Sequence, residues 1–180
     1  MSKTSKTADK RGRADLELFL LALLSRGIAT PYDLQASAGL SPGASIPALG
    51  RLEAAGYVVK GEQEARRRLE YNVSARGKKH LESSWKALLE SPAKGDMDVV
   101  LRTACVALLM GEKKRVVAEY LAEGSKMRKL ESGRFSLSNA PGLRHPGLYA
   151  WMRQVGEPTR TASEAAILKK IASVLKKART

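Results

Sequence analysis

The sequence holds a single cysteine, Cys105, and only two histidines, His80 and His145. An intrachain disulfide and a cysteine-based zinc site are therefore excluded, and little is left to ligate a metal. Long apolar runs are also missing. The best, Leu16 to Leu24, is interrupted by Glu17 and too short to span a bilayer. It makes a poor secretory leader, because Asp15 and Glu17 intrude and Ser25-Arg26-Gly27-Ile28 is no small-x-small cleavage site. The glycine-rich stretch Gly39-Leu40-Ser41-Pro42-Gly43 lacks the Walker spacing and its lysine. No Ser, His and Asp arrangement stands out, and no carboxylate cluster has metal-ligand spacing. The sequence is therefore read as that of a cytoplasmic binding protein, not an enzyme, with no cofactor.

Acidic residues are scarce too: 18 Asp and Glu face 32 Lys and Arg, a formal charge of +14. Such an excess suits a polyanion, nucleic acid first and an anionic membrane second. The imbalance is larger in the second half. Residues 1–90 hold 15 cations and 10 acids, residues 91–180 hold 17 and 8. With 180 residues, 43% of them hydrophobic and 28% charged, the chain can bury a core of its own.

Local patterning predicts a mainly helical protein. Residues 1–13 carry Lys3, Lys6, Lys10, Arg11 and Arg13 against Asp9, and read as a flexible basic arm that either solubilises or enters a minor groove. Asp15 is expected to cap a helix to about Arg26, stopped by Gly27. Thr30-Pro31 starts a second helix, ended by Gly39. Ser41-Pro42 starts a third, with Ile46, Leu49 and Leu52 on one stripe and Gly56 as its stop. The period then changes. Tyr57-Val58-Val59 is β-prone, Gly61–Arg67 is polar, and Leu69, Tyr71 and Val73 alternate with Arg68, Glu70 and Asn72, which reads as a two-stranded hairpin with a charged tip. A fourth helix runs over Ala75–Glu90, and residues 91–95 form a break. Helices over Met97–Met110 and Glu112–Leu130 follow, with Gly124-Ser125 as a kink. Glu131–Gly147 reads as a loop. A short helix over His145–Val155 presents Leu148, Trp151 and Met152. A last helix starts at a Thr161/Glu164 capping box and carries Ile167, Leu168, Ile171, Val174 and Leu175.

Three short helices followed by a hairpin is the order of a winged helix-turn-helix, whose third helix enters the DNA major groove. Residues 14–77 form that unit in this reading, and 78–180 a helical region. At the third helix Ser41, Ser45 and Arg51 are the polar base or phosphate readers, and Ile46 either packs or meets a thymine methyl. Arg51 has a competing reading as the partner of carboxylates near Glu53. Tyr32 either bonds a phosphate or closes the small core. Arg66, Arg67 and Arg68 at the hairpin tip are placed for phosphates, against the alternative of a solvated tip. Trp85 and Trp151 are read as ordinary core or interface residues. Cys105 is expected to be an inert buried thiol, and His80, between lysines and the rest of the fourth helix, is given no metal or catalytic role.

The stretch Ser41-Pro42-Gly43, then Pro47-Ala48-Leu49, Arg51-Leu52-Glu53 and Gly56, is similar to the PadR family of bacterial transcription regulators. Tyr32-Asp33-Leu34, Arg68, Tyr71, Val73-Ser74 and Gly77 extend the resemblance over Leu20–Gly77, about a third of the chain. It implies a winged helix, a homodimer made by the C-terminal helices, double-stranded DNA as partner, repression, and a small aromatic effector at the dimer interface, in a pocket that Trp85 and Trp151 would line. The chain departs from the family pattern at Ala44 and Ile46, where Thr and Tyr are common, at Pro31, and at Leu69-Glu70. The alternatives are a nucleoid-type binder without sequence preference, and a winged helix that docks a protein.

Overall fold

The computed structural model describes residues 3–61, 69–93, 96–136 and 146–178. Within them lie helices α1 (Lys3–Leu24), α2 (Pro31–Ala38) and α3 (Pro42–Ala54), strands β1 (Val58–Lys60) and β2 (Tyr71–Val73), then helices α4 (Ala75–Glu90), α5 (Met97–Leu109), α6 (Lys114–Ser132) and α7 (Leu148–Lys177). The protein is mainly helical with one two-stranded antiparallel sheet. The chain divides into two compact units. One is Met1–Ser91 with Leu101–Glu112, the other Pro92–Val100 with Lys113–Thr180. The fourth helix thus goes with the first unit, and α5 contributes to both.

In the first unit Leu20, Leu21, Leu34, Leu49, Leu52 and Val58 are almost fully buried. They come from α1, α2, α3 and β1, so these short elements share one core. Helix α1 begins at Lys3, not after Asp15. Once Asp15–Leu24 is helical, each further residue adds a hydrogen bond at little cost, and Ala, Lys and Arg propagate a helix well. Asp15 is therefore no cap. Its side chain is fully buried inside the helix, 2.6 Å from Arg102 Nε of α5.

In the second unit α6 and α7 pack antiparallel, through Gly124 against Leu168 and Ser125 against Ala165. A Cβ on Gly124 would lie 3.0 Å from Ala93 Cβ and 3.2 Å from Leu168 Cδ1. Gly124-Ser125 is thus a packing site within a continuous helix, where an expected kink was the sequence reading. Arg128, 2% exposed, donates to Glu164 at 2.8 Å and to the Ala93 carbonyl at 3.2 Å.

The two expected helices over 145–155 and from Thr161 onward are one, α7, with Pro158 inside. The Thr161 hydroxyl donates to its own helix at Glu157 O, 2.7 Å, and Glu164 is taken up by Arg128 and Arg160, so neither serves as a cap. The buried face of α7 is Thr161, Ala165, Leu168 and Ala172. Ile167 and Val174, expected on the core stripe, are exposed.

Candidate nucleic-acid interface

The turn between α2 and α3 is built from local chemistry. Thr30 adopts extended backbone and its hydroxyl accepts from Asp33 N–H at 3.1 Å while donating to Asp33 Oδ2 at 2.7 Å. Pro31 at the first helical position costs no hydrogen bond, since that N–H has no partner in the helix anyway. Gly39 ends α2 with φ +66°, a left-handed conformation that disfavours other residues. Leu40 then tucks into the core, and Ser41-Pro42 starts α3. Ser41 is the N-cap residue, but its side chain makes no cap hydrogen bond.

Helix α3 buries Ser45, Ala48, Leu49 and Leu52. Its opposite face, Gly43, Ile46, Pro47, Gly50 and Arg51, is exposed. Two sequence expectations change here. Ser45 is fully buried and donates to the Ser41 carbonyl at 3.1 Å, so it cannot read a base. Ile46 is 51% exposed and does not belong to the Leu49 and Leu52 stripe. The cause is phase: Ser45, Leu49 and Leu52 share the i, i+4, i+7 face, whereas Ile46 lies one residue round. Arg51 pairs with Glu17 of α1, Nε to Oε1 2.6 Å, and not with a carboxylate near Glu53. Glu53 takes Lys60 of β1 at 2.8 Å, and this hydrogen bond raises the Lys60 pKa. Tyr32 is 57% exposed on α2 and does not close the core.

The hairpin is held to the helices by backbone groups. Val58 faces Val73, Val59 faces Asn72 and Lys60 faces Tyr71. The Tyr71 N–H donates to the Ala29 carbonyl at 2.8 Å, tying β2 to the segment just before α2. At the base of the hairpin Ser74 caps α4. Its hydroxyl accepts from Gly77 N–H at 3.0 Å and donates to Gly56 O at 2.7 Å. Arg66, Arg67 and Arg68 lie outside the described residues.

Sequence reasoning missed a stacked group here. The Tyr57 and His80 rings are parallel, 4.3 Å apart, and the Arg76 guanidinium lies 5.3 Å from the Tyr57 ring centre. The spacing of Tyr57, Arg76 and His80 gives no sign of this, because the stack depends on how α4 packs on the hairpin base.

The two tryptophans are not brought together within one unit. Trp85 of α4 is buried in the first, and Trp151 of α7 is half-buried in the second. Neither lines either of two cavities. One, of about 340 Å³ in the first unit, is lined by Ala22, Arg26, Lys78, Leu81 and Met110 among others. The other, of about 650 Å³ in the second unit, is lined by Lys113, Lys114, Arg115, Glu119, Leu175 and Lys176. Cys105 is half-buried, and burial pushes its thiol pKa up.

Among the described residues no group of three or more His, Cys, Asp or Glu could hold a metal ion. No helix among them is long and apolar enough to cross a membrane. No family model, curated protein or solved structure matches the chain.

Proposed function

We propose that this chain is a winged-helix transcription regulator of the PadR type that binds double-stranded DNA as a homodimer and represses by occlusion. One observation carries the reading. Helix α2, the left-handed turn at Gly39, helix α3 and the β1–β2 pair form one cored unit, with the outer face of α3 exposed and the hairpin tied to Ala29 beside it. In that layout α3 lies in the major groove and the hairpin follows the backbone. Tyr32 at the start of α2 and Ser41 at the start of α3 donate to phosphates, which set register but carry no sequence information. Arg66, Arg67 and Arg68 supply cations between the strands, and the +14 charge supports counterion-release binding. A symmetric dimer would place two α3 helices on successive major grooves of an inverted repeat. A small aromatic effector between subunits would shift their spacing and so release the DNA.

A second reading is favoured by the chemistry of α3. Arg51 apart, its exposed face is apolar or small, and Arg51 and Lys60 pair with Glu17 and Glu53. Such a face also suits a winged helix that docks a protein. Selection of fragments from a random DNA pool at ~150 mM salt, where weak phosphate binding is suppressed, separates the readings. An inverted repeat among the recovered fragments supports the regulator. Fragments with no shared motif indicate a nucleoid-type binder. No recovery leaves the protein-docking module.

A further inference from the structure

The exposed face of α3 limits which chemistry on DNA it can read. A helix in the major groove reads base edges with arginine, lysine, asparagine, glutamine or serine, or it contacts the thymine methyl with an apolar side chain. The first option is narrow. Ser45 is buried against Ser41 O, and the exposed Arg51 has its Nε on Glu17 at 2.6 Å. Besides Arg51, the outer face is Gly43, Ile46, Pro47 and Gly50. The two glycines leave open space around Ile46. A Cβ at Gly50 would meet nothing within 4 Å, and one at Gly43 would meet only Ser41 Oγ at 4.0 Å. Ile46 is therefore the tallest apolar group on a low helix surface, with half its area in water. The one apolar group that a base pair shows in the major groove is the thymine 5-methyl.

We infer that Ile46 is the specificity-determining residue of α3 and that it selects A·T pairs by packing on thymine methyl groups. The inference rests on the DNA-binding reading above. Charge favours DNA over an apolar protein surface as the occupant of this face. The chain carries +14, and Arg76, Lys78 and Lys79 stand exposed on α4 of the same unit. Lys and Arg neutralise phosphate, whereas apolar protein interfaces are depleted in lysine.

Removing the methyl group tests this without touching any hydrogen bond. The full chain is titrated by fluorescence anisotropy, at ~100 mM salt, with ~20-base-pair duplexes of alternating A·T. A second duplex replaces every thymidine by deoxyuridine. A G·C pair of duplexes, with and without 5-methylcytosine, returns a methyl to the same groove position. Burying one methyl is worth about a fourfold change in affinity. The thymidine duplex should bind about fourfold or more tighter than the deoxyuridine one, and 5-methylcytosine should gain a similar factor. Ile46→Ala should bind both A·T-type duplexes equally, at the wild-type affinity for the deoxyuridine duplex. Because Ile46 is exposed, that variant should keep the wild-type circular dichroism and melting temperature.

Equal binding of the thymidine and deoxyuridine duplexes by the wild type overturns the inference and leaves DNA binding intact. So does a preference that survives in Ile46→Ala, which would place the discrimination in another group or in DNA shape. Failure to bind any duplex, even at ~50 mM salt, overturns both this inference and the proposed function, and gives the α3 face to a protein partner.

Discussion

Two helical glycines of the first unit should respond to alanine with opposite signs. Helix propensity alone favours alanine at both, by about 1 kcal/mol. At Gly77, in the first turn of α4, a Cβ would sit 2.1 Å from Tyr57 O, 2.9 Å from Tyr57 C and 2.9 Å from Val73 Cγ1. The obstacle is backbone, not the end of a flexible side chain, so α4 must retreat by about 1 Å or the hairpin base must open. Retreat strains Ser74 N–H to Tyr57 O, 3.0 Å, and the Ser74 cap on Gly77 N–H, 3.0 Å. Overpacking costs about 1–3 kcal/mol and a lost cap about 1 kcal/mol. Set against the propensity gain, Gly77→Ala should destabilise by about 1–3 kcal/mol, which lowers the melting temperature of a chain this long by about 2–12 °C. At Gly50, where a Cβ meets nothing within 4 Å, propensity acts alone, and Gly50→Ala should stabilise by about 0.5–1 kcal/mol. Thermal and urea unfolding followed by circular dichroism give both numbers. A Gly77→Ala protein that melts at or above the wild type would refute the packing of α4 on Tyr57.

Arg128→Met removes one of the two arginines on Glu164 and the Arg128 donor from the Ala93 carbonyl, and should cost about 1–3 kcal/mol in urea unfolding. Arg102→Met takes the guanidinium from the buried Asp15 carboxylate and should cost a similar ~3 kcal/mol. Burial raises the Cys105 pKa, so the native thiol should alkylate more slowly at pH ~8 than the same thiol in denaturant. The sign of the linked stability follows. This contribution is fully present below the unfolded thiol value, about 8.5, and is lost as pH rises through the higher folded value. Replacing Arg66, Arg67 and Arg68 together by Ala should lower the slope of log affinity for DNA against log salt by about 2–3.

The turn at the centre of the candidate site was legible in the sequence because its causes are local. Thr30-Pro31, Gly39 and Ser41-Pro42 each act within a few residues, and the structure uses them as read, apart from the idle Ser41 side chain. The strand pair was legible from the change of period, and Tyr71 points inward as its alternation requires. The orientation of α3 was not. Apolar spacing put Ile46 with Leu49 and Leu52, whereas packing on α1 and α2 buries Ser45 and Ala48 instead. Nor could spacing show that Glu17, 34 residues upstream, would claim Arg51. The length of α7 was not legible, because Thr161 and Glu164 have the spacing of a capping box. Inside a helix that packs on α6, a threonine can bond back to its own turn and a proline is tolerated.

The proposed function makes α3 and the β1–β2 hairpin the face that meets DNA. Amide hydrogen exchange of the full chain, with and without saturating duplex recovered from the selection, tests it directly. New protection is expected over residues 42–54 and 58–73, with weaker changes along α2. Protection confined to α6 and α7, or no change anywhere at saturating duplex, would contradict it.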